Sequence, residues 1–169
     1  TWSEPAVFLS GLNSIDGISA CYHNGLKVAY TMDTDGSLDT AGDTFLYVNG
    51  RRQTDSSLPE TSPVYCDTTL YWYSNGKILY QGASGEGMTI PTDRYQLLRS
   101  GDDLILLYVQ SDGLYSTLKA AYFDEGTGGW SAAASLTDGS TFIGSFSASV
   151  SSAGGLQILV SSQAVVGGF

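Results

Sequence analysis

The sequence predicts an all-β protein built from repeated antiparallel sheets, and three observations support this prediction. Helical periodicity is almost absent from the 169 residues, whereas short apolar runs recur along the whole chain. Turn dipeptides separate these runs, and their residues tolerate the positive φ that tight hairpin turns require. Segments of similar pattern also recur along the chain, which is typical of proteins assembled from repeated structural units.

Six turn dipeptides mark the predicted reversals between paired strands. Three of them are Asn-Gly pairs, at Asn24-Gly25, Asn49-Gly50 and Asn75-Gly76. The other three are Asp-Gly pairs, at Asp35-Gly36, Asp112-Gly113 and Asp138-Gly139. Chains with hairpins at such short intervals form β-sandwiches, barrels or propellers.

An internal repeat favours the propeller among these architectures. Residues 18–30, 64–73, 95–108 and 146–160 share a short strand, a polar turn and a second strand that opens with Leu. These leucines, at positions 26, 70, 104 and 156, are 44, 34 and 52 residues apart. Such spacings bracket the repeat of about 40–50 residues that is typical of a four-stranded propeller blade. The alternative is a small β-sandwich or open barrel with accidental repeats.

The predicted blades do not complete a ring. Residues 1–16 would end a preceding blade, three blades would cover 17–61, 62–92 and 93–139, and 140–169 would begin a fourth. Propellers usually close with about four to eight blades. We therefore expect a partial propeller of four-stranded sheets. Further blades of the same parent chain, a second chain or self-association through open sheet edges would complete it.

The third blade is the clearest, with strands expected over 95–99, 103–110, 114–123 and 130–136. Its last turn reads Asp124-Glu125-Gly126-Thr127-Gly128-Gly129-Trp130. This turn resembles the Asp-box of sialidase-like propellers, in which an Asp, a Gly and a Trp lock the corresponding turn. Tyr122 stands where the family has a Ser, and the distance from Gly to Trp is longer. The resemblance implies a sialidase-like propeller fold.

The resemblance also implies where a ligand would bind. In such propellers the loops between second and third strands open on the same face as the connections between blades, and ligands usually bind there. The residues that we expect to bind a ligand on this face are Asp93, Arg94, Asp112 and Tyr115.

Sialidase chemistry requires three arginines for the substrate carboxylate, a Tyr nucleophile paired with Glu, and an Asp acid/base. Only Arg94 begins an inner strand on the expected ligand face, and Glu60, like the other glutamates, falls at a turn or blade edge. We therefore predict no catalytic residue within this chain. The alternative is a piece of a sialidase-like glycoside hydrolase whose catalytic residues lie mostly outside these 169 residues.

An acidic loop is the best candidate for a metal site. Asp33, Asp35 and Asp39 cluster on a short loop, and such carboxylates suit a hard cation such as Ca²⁺. The loop departs from the EF-hand, because Gly36 comes too early and no Glu closes the ring. The alternative, which this shortage of ligands favours, is an acidic hairpin turn without a metal. Neither interpretation requires a cofactor.

The two cysteines leave two structures open. Cys21 and Cys66 precede their leucines by five and four residues, which places both on inner strands of adjacent predicted blades. A disulfide and two buried thiols are both compatible with this placement, because geometry rather than spacing decides. The lone His23 lies near a turn, where we expect a structural role.

An aromatic-rich hairpin has two interpretations as well. Its rings are those of Tyr65, Tyr71, Trp72, Tyr73 and Tyr80. Strand alternation places Tyr71 and Tyr73 on one face and Trp72 on the other. Exposed rings would stack on sugars, whereas buried rings would pack between sheets, and the need for large side chains between blades favours burial.

Charge and composition narrow the classes of partner. Seventeen Asp and Glu against seven Lys and Arg give a net charge of −10, which repels nucleic acid. No run approaches the about 18 apolar residues of a membrane helix, so membrane insertion is not expected. Few lysines and many Tyr, Ser and Thr indicate an extracellular or cell-surface location. The expected function is a non-catalytic recognition or structural module for a glycan or a surface protein.

Overall fold

The structure of the chain is a computed structural model, which describes residues 4, 6–12, 14–35, 43–55, 57–82, 87–124 and 129–164. Every regular element of these residues is a β-strand, and the strands pair in antiparallel sheets. The prediction of an all-β protein with four-stranded antiparallel sheets is confirmed for the first two sheets, whereas the third sheet has seven strands. Within the described ranges, no helix is long and apolar enough to cross a membrane.

The first sheet has the strand order β1-β2-β3-β4. Its strands are β1 (Ile15–Tyr22), β2 (Leu26–Asp33), β3 (Thr44–Val48) and β4 (Arg51–Arg52). Two of its turns are Asn-Gly pairs, with φ of 52° and 119° at Asn24-Gly25 and 48° and 82° at Asn49-Gly50. Asn49-Gly50 is a two-residue connection between the paired Val48 and Arg51, and positive φ at both of its residues is the mark of a type I′ turn, whose twist matches that of the strands it joins.

The second sheet has the order β5-β6-β7-β8. Its strands are β5 (Glu60–Cys66), β6 (Thr69–Ser74), β7 (Lys77–Tyr80) and β8 (Met88–Thr89). A third Asn-Gly turn, with φ of 48° and 77° at Asn75-Gly76, joins β6 to β7. The register between β5 and β6 shifts between Thr61 and Val64, where Ser62 has a φ of 50° and Pro63 lacks an N–H for the ladder.

The third sheet has seven strands. They are β9 (Tyr95–Ser100), β10 (Asp103–Asp112), β11 (Tyr115–Asp124), β12 (Gly129–Trp130), β13 (Ala134–Ser135), β14 (Thr141–Val150) and β15 (Leu156–Ala164). The main order is β15-β14-β11-β10-β9, and the short β12 and β13 also pair with β11. The hairpin of β14 and β15 meets β11 where Thr141 lies opposite Ser116.

The strands expected over 95–99, 103–110 and 114–123 are present as β9, β10 and β11. The expected outer strand over 130–136 is present as two short pieces, β12 and β13, on one edge of β11. The blade limits stay a prediction, because pairing alone does not establish that the sheets surround a common axis.

The chain divides into two compact units. The first comprises Thr1–Asn75 and Leu79–Ala83, and the second comprises Gly76–Ile78 and Ser84–Phe169. In the first unit, β5 packs across β1, β2 and β3. The core there is formed by Ala29, Leu46 and Leu70, with Val48, Tyr65 and Trp72 packed around them.

The second unit has a separate apolar core. Val109, Leu118 and Ile143 are its buried centre, and Phe146, Ile158 and Val160 pack against them. Burying each of these large side chains contributes about 1.5–3 kcal/mol of transfer free energy. This core attaches the β14–β15 hairpin to β10 and β11.

Candidate functional site

Three carboxylates meet at the end of the β2–β3 hairpin where the loop joins the two strands. Asp33 ends β2, Asp35 follows it, and Asp43 directly precedes β3. One carboxylate oxygen of each lies within 4.8 Å of those of the other two. The backbone N of Asp35 donates to Oδ1 of Asp33 at 3.0 Å, and the backbone N of Thr34 donates to the carbonyl of Asp43 at 3.3 Å. The second of these bonds joins the two ends of the loop, whereas the first lies within one of them.

This acidic cluster has the dimensions of a metal site. Oxygen ligands at about 2.3–2.6 Å from a Ca²⁺ ion lie within about 5 Å of one another, so the three carboxylates can bind a single ion. Asp33 is only 5% exposed. Gathering like charges at a partly buried position is unfavourable unless a cation balances them. The cluster can therefore hold a metal.

The predicted ligand set and the observed cluster share two residues. Asp33 and Asp35 are brought together as expected, whereas Asp39 lies outside the described residues. Asp43 takes the third position. The register explains this, because Asp33 pairs with Thr44 across the hairpin and Asp43 is therefore its neighbour. The sequence signal for Asp43 is that an acidic residue directly precedes the strand that pairs with β2.

Arg94, the expected ligand-binding arginine, holds two strands together. It lies directly before β9, and its Nη2 donates to the carbonyls of Ile143 at 2.9 Å and Gly144 at 2.8 Å. Both carbonyls belong to β14, at the register shift between Ile143 and Ser145. A shallow cavity of about 270 Å³ lies beside Arg94 and these residues. The main contribution of this guanidinium is thus to strand packing.

The other predicted ligand residues lie at the same end of the third sheet. The backbone N of Val109 donates to the carbonyl of Arg94 at 3.2 Å, and Asp112 follows three residues further along β10. Asp112 lies opposite Tyr115 across the hairpin turn, and both are exposed. Asp93 is exposed as well, next to the buried Tyr95. Burial, followed by the negative charge of Asp93, raises the pKa of Tyr95 well above its usual range.

Glu60 is a buried polar residue whose role sequence reasoning missed. It begins β5 and is only 1% exposed. Its Oε2 accepts a hydrogen bond of 2.9 Å from the backbone N of Leu46 and a short hydrogen bond from the hydroxyl of Thr54. A buried carboxylate requires such donors. Glu60 therefore connects β5 to β3 and to the residues that follow β4. The sequence does not indicate this role, because it predicts only a turn or blade edge at Glu60.

The cysteines lie where the repeat placed them, on the first strands of the first and second sheets. Both are thiols in the structure, and no disulfide joins Cys21 to Cys66. Cys66 is buried and Cys21 is partly exposed. The spacing of the cysteines left a disulfide and a pair of thiols open, and the structure contains the pair of thiols.

The turn that resembles an Asp-box is described only at its two ends. Phe123 pairs with Trp130 and Asp124 pairs with Gly129, whereas residues 125–128 lie outside the described part of the chain. The rings of Phe123 and Trp130 make an edge-to-face contact with centroids 5.3 Å apart. The Trp side chain thus packs against the strand that precedes the turn.

The aromatic hairpin serves mainly as packing between sheets. Tyr65 and Trp72 contact the core of the first unit. Tyr71 is buried, with its ring centroid 5.7 Å from that of the more exposed Tyr80. The side chains of Tyr71 and Trp72 lie on opposite faces of β6, as strand alternation requires.

Comparisons of the chain with protein-family models, with curated proteins and with solved structures found no match.

Proposed function

We propose that this chain is a non-catalytic recognition module of the β-propeller type, which binds Ca²⁺ through Asp33, Asp35 and Asp43 and binds an extracellular glycan. The observation that carries the proposal is the convergence of these three carboxylates at one end of the first sheet. Binding loops are commonly held at the end of a rigid β-scaffold, and a bound cation fixes such a loop in one conformation.

Contacts between first strands support the propeller architecture. In the first unit, the backbone N of Tyr65 on β5 donates to the hydroxyl of Ser19 on β1 at 2.9 Å. In the second unit, the side chain of Gln96 on β9 contacts the backbone of Ala148 on β14. In a propeller the innermost strands of neighbouring blades are adjacent, and we assign β1, β5, β9 and β14 to strands of that kind.

Two further observations support recognition without turnover. Nη2 of Arg94 is occupied by two main-chain carbonyls, whereas a sialidase arginine must receive the carboxylate of its substrate. The exposed ring of Tyr115 lies opposite Asp112 at a hairpin tip, where an aromatic face and a carboxylate suit a sugar. Acidic composition and a Ca²⁺ site are consistent with extracellular action, since Ca²⁺ sites of extracellular modules bind at about 10⁻⁴–10⁻³ M.

Thermal unfolding with and without Ca²⁺ tests the metal site. At a Ca²⁺ concentration 100 times the Kd, we expect a stabilisation of about 2.7 kcal/mol, which Mg²⁺ at the same concentration does not reproduce. Asp33→Asn and Asp43→Asn should abolish the shift in Tm. Asp103→Asn, at an exposed position of β10, is the matched control and should keep it. An unchanged Tm in Ca²⁺ would contradict the site.

A glycan array probed with the full chain tests the recognition function. We expect retention of a defined set of glycans, weakened by chelation of Ca²⁺, with no release of sugar on prolonged incubation. Release of a terminal sugar would show a glycoside hydrolase instead. Failure to retain any glycan would contradict glycan recognition.

A further inference from the structure

One edge of the third sheet is a long strand with an open side. β15 (Leu156–Ala164) pairs with β14 and with no other strand of the residues that the structure describes. Its nine residues extend over about 30 Å, and all of them except Ile158 and Val160 are exposed. The open side of such a strand presents a row of backbone donors and acceptors, which is a template for a further strand.

The contacts of β14 show which backbone groups of β15 point outward. The N and the carbonyl of Ala148 both bond to the side chain of Gln96, so they point away from β15. Ala148 lies opposite Ile158. In an antiparallel ladder, two opposite residues direct their backbone groups either toward or away from each other. The N–H and C=O of Ile158 therefore point to the open side of β15, and those of Val160, two residues further, do the same.

The other sheet edges carry features that prevent pairing with another chain. In the first sheet, β4 consists of two arginines and β1 has Asp16 at a register shift. In the second sheet, β5 has Pro63 at a register shift and β8 is two residues long. In the third sheet, Gln96 joins β9 to β14. Charge, Pro, bulges, short length and cover by another element are the usual protections of an edge, and β15 has none of them.

The hairpin of β14 and β15 is also free of charge. All seventeen Asp and Glu and all seven Lys and Arg lie within residues 1–138, and residues 139–169 contain neither a charged residue nor Pro. With a net charge of −10, two copies of the chain repel each other, but this hairpin adds nothing to the repulsion. Leu159, at the middle of β15, is 77% exposed. An apolar side chain on a surface depleted of charge is typical of the centre of a protein–protein interface.

We infer that β15 pairs with β15 of a second copy of this chain, antiparallel and about a twofold axis. Two identical antiparallel strands are self-complementary, because each supplies what the other lacks. With Val160 opposite Val160 of the second copy, every residue from 156 to 164 has a partner. The outward N–H and C=O of Val160 then bond to those of its counterpart. No charge lies opposite another in this pairing.

This arrangement also covers the exposed Leu159. Residues opposite each other in a ladder share a face, so the Leu159 side chains of the two copies lie on the same face of the joined sheet. They are diagonal neighbours at about 7–8 Å, within reach of each other. The interface is small, so we expect a weak dimer with a Kd of about 10–100 μM. The inference depends neither on Ca²⁺ binding nor on glycan binding.

Sedimentation of the full chain in the ultracentrifuge provides the first test. At an ionic strength of about 0.15 M, the repulsion between the acidic surfaces is largely screened beyond about 8 Å. We expect the mass to rise from one chain at about 1 μM to two chains at about 1 mM. It should not rise further, because a twofold pairing uses up the edge. The mass of a single chain at every concentration, or growth beyond two chains, would overturn the inference.

Substitutions at Leu159 test the position of the axis. Leu159→Lys places two like charges side by side, and it should weaken the dimer at least about tenfold. Leu114→Lys makes the same charge change at a position 69% exposed between β10 and β11, and it should leave the Kd within about twofold. Leu159→Glu alone should also be monomeric, whereas a mixture of Leu159→Lys with Leu159→Glu should form dimers again. Equal weakening by Leu114→Lys, or a mixture that stays monomeric, would contradict the pairing.

Amide hydrogen exchange, followed by NMR of the ¹⁵N-labelled chain, identifies the paired edge. When about nine-tenths of the chains are dimeric, the amides of Ile158 and Val160 should exchange about tenfold more slowly than in the monomer. The amide of Leu159, which points toward β14, should exchange equally in both states. Dimerisation without protection of Ile158 and Val160 would place the interface elsewhere. Protection of both amides at every concentration would mean that another segment of the same chain covers the edge, and it would overturn the inference as well.

Discussion

The side-chain amide of Gln96 pairs with the backbone of Ala148 as another strand residue would. Its Nε2 donates to the carbonyl of Ala148 at 2.9 Å, and its Oε1 accepts from the N of Ala148 at 2.9 Å. Gln96 lies on β9 and Ala148 on β14, so the amide bonds to the edge of β14 that faces away from β15. A single side chain thus replaces a stretch of sheet between two strands.

Replacing Gln96 should loosen the attachment of β14. Gln96→Ala leaves two backbone groups of Ala148 without partners, and we expect a loss of about 1–3 kcal/mol in the free energy of unfolding. Urea unfolding measures this loss. Gln110→Ala, at an exposed position near the end of β10, is the matched control and should change stability by no more than about 0.5 kcal/mol. Equal effects of the two variants would show that the Gln96 contact contributes nothing.

Glu60 and Thr54 should act on stability as a pair. Glu60→Ala removes the acceptor of the Thr54 hydroxyl and one of two acceptors of Leu46 N, the other being Oγ1 of Thr54 at 3.3 Å, so we expect a loss of about 2–3 kcal/mol. Thr54→Ala removes a hydroxyl that donates to Glu60 and accepts from Leu46 N, and it should cost about 1–2 kcal/mol. In a double-mutant cycle, the coupling between the two should be about 1 kcal/mol. Strictly additive losses would refute a direct interaction.

Two Asn-Gly turns with the same backbone conformation should respond differently to the same substitution. Asn49 and Asn75 both have a φ of 48°. Oδ1 of Asn49 also accepts from the N of Val28 at 2.8 Å, and its Nδ2 donates to the carbonyl of Leu26 at 3.2 Å. Among the described residues, the Asn75 side chain has no such partner. Asn49→Ala should therefore destabilise the protein by about 1–2 kcal/mol more than Asn75→Ala, as measured by urea unfolding.

Buried tyrosines should make the protein less stable in alkali. Burial is the main cause that raises the pKa of Tyr30, Tyr65, Tyr95 and Tyr108 above the ordinary value of 10.0. The unfolded chain releases these protons near pH 10 whereas the folded chain retains them, so unfolding becomes more favourable as pH rises above that value. Below it, this contribution to stability is fully present.

Urea unfolding between about pH 8 and about pH 11 measures the effect. Tyr95→Phe should reduce the fall in stability, because the substituted ring has no proton to release. Tyr22→Phe, at a position 83% exposed, should not. A free energy of unfolding that stays constant across this range would count against burial of these hydroxyls.

The sequence was most informative where structure is local. Asn24, Asn49 and Asn75 lie in the turns that their dipeptides predicted, because positive φ is a property of those residues themselves. Strand alternation also placed Tyr71 and Trp72 on opposite faces of β6.

Long-range partners could not be predicted in the same way. Arg94, Gln96 and Glu60 form hydrogen bonds to residues that lie between 14 and 52 positions away in the sequence. The residues that flank them in the sequence do not indicate these partners. The acidic cluster lies between these cases. Asp33 and Asp35 are close in sequence, whereas the position of Asp43 depends on the register of the hairpin.

The hydrogen bonds of Asn49 also determine how this protein ages. In an Asn-Gly sequence the backbone nitrogen of Gly attacks the side-chain carbonyl of Asn, releases ammonia and forms a succinimide, which water opens to aspartate or isoaspartate. The amide of Asn49 is held on β2 at both of its polar atoms, away from this attack. Peptide mass spectrometry of stored protein should therefore find isoaspartate at Asn75 well before Asn49. The turn between β3 and β4, which Asn49 holds to β2, would therefore remain unmodified longer than the Asn75-Gly76 turn.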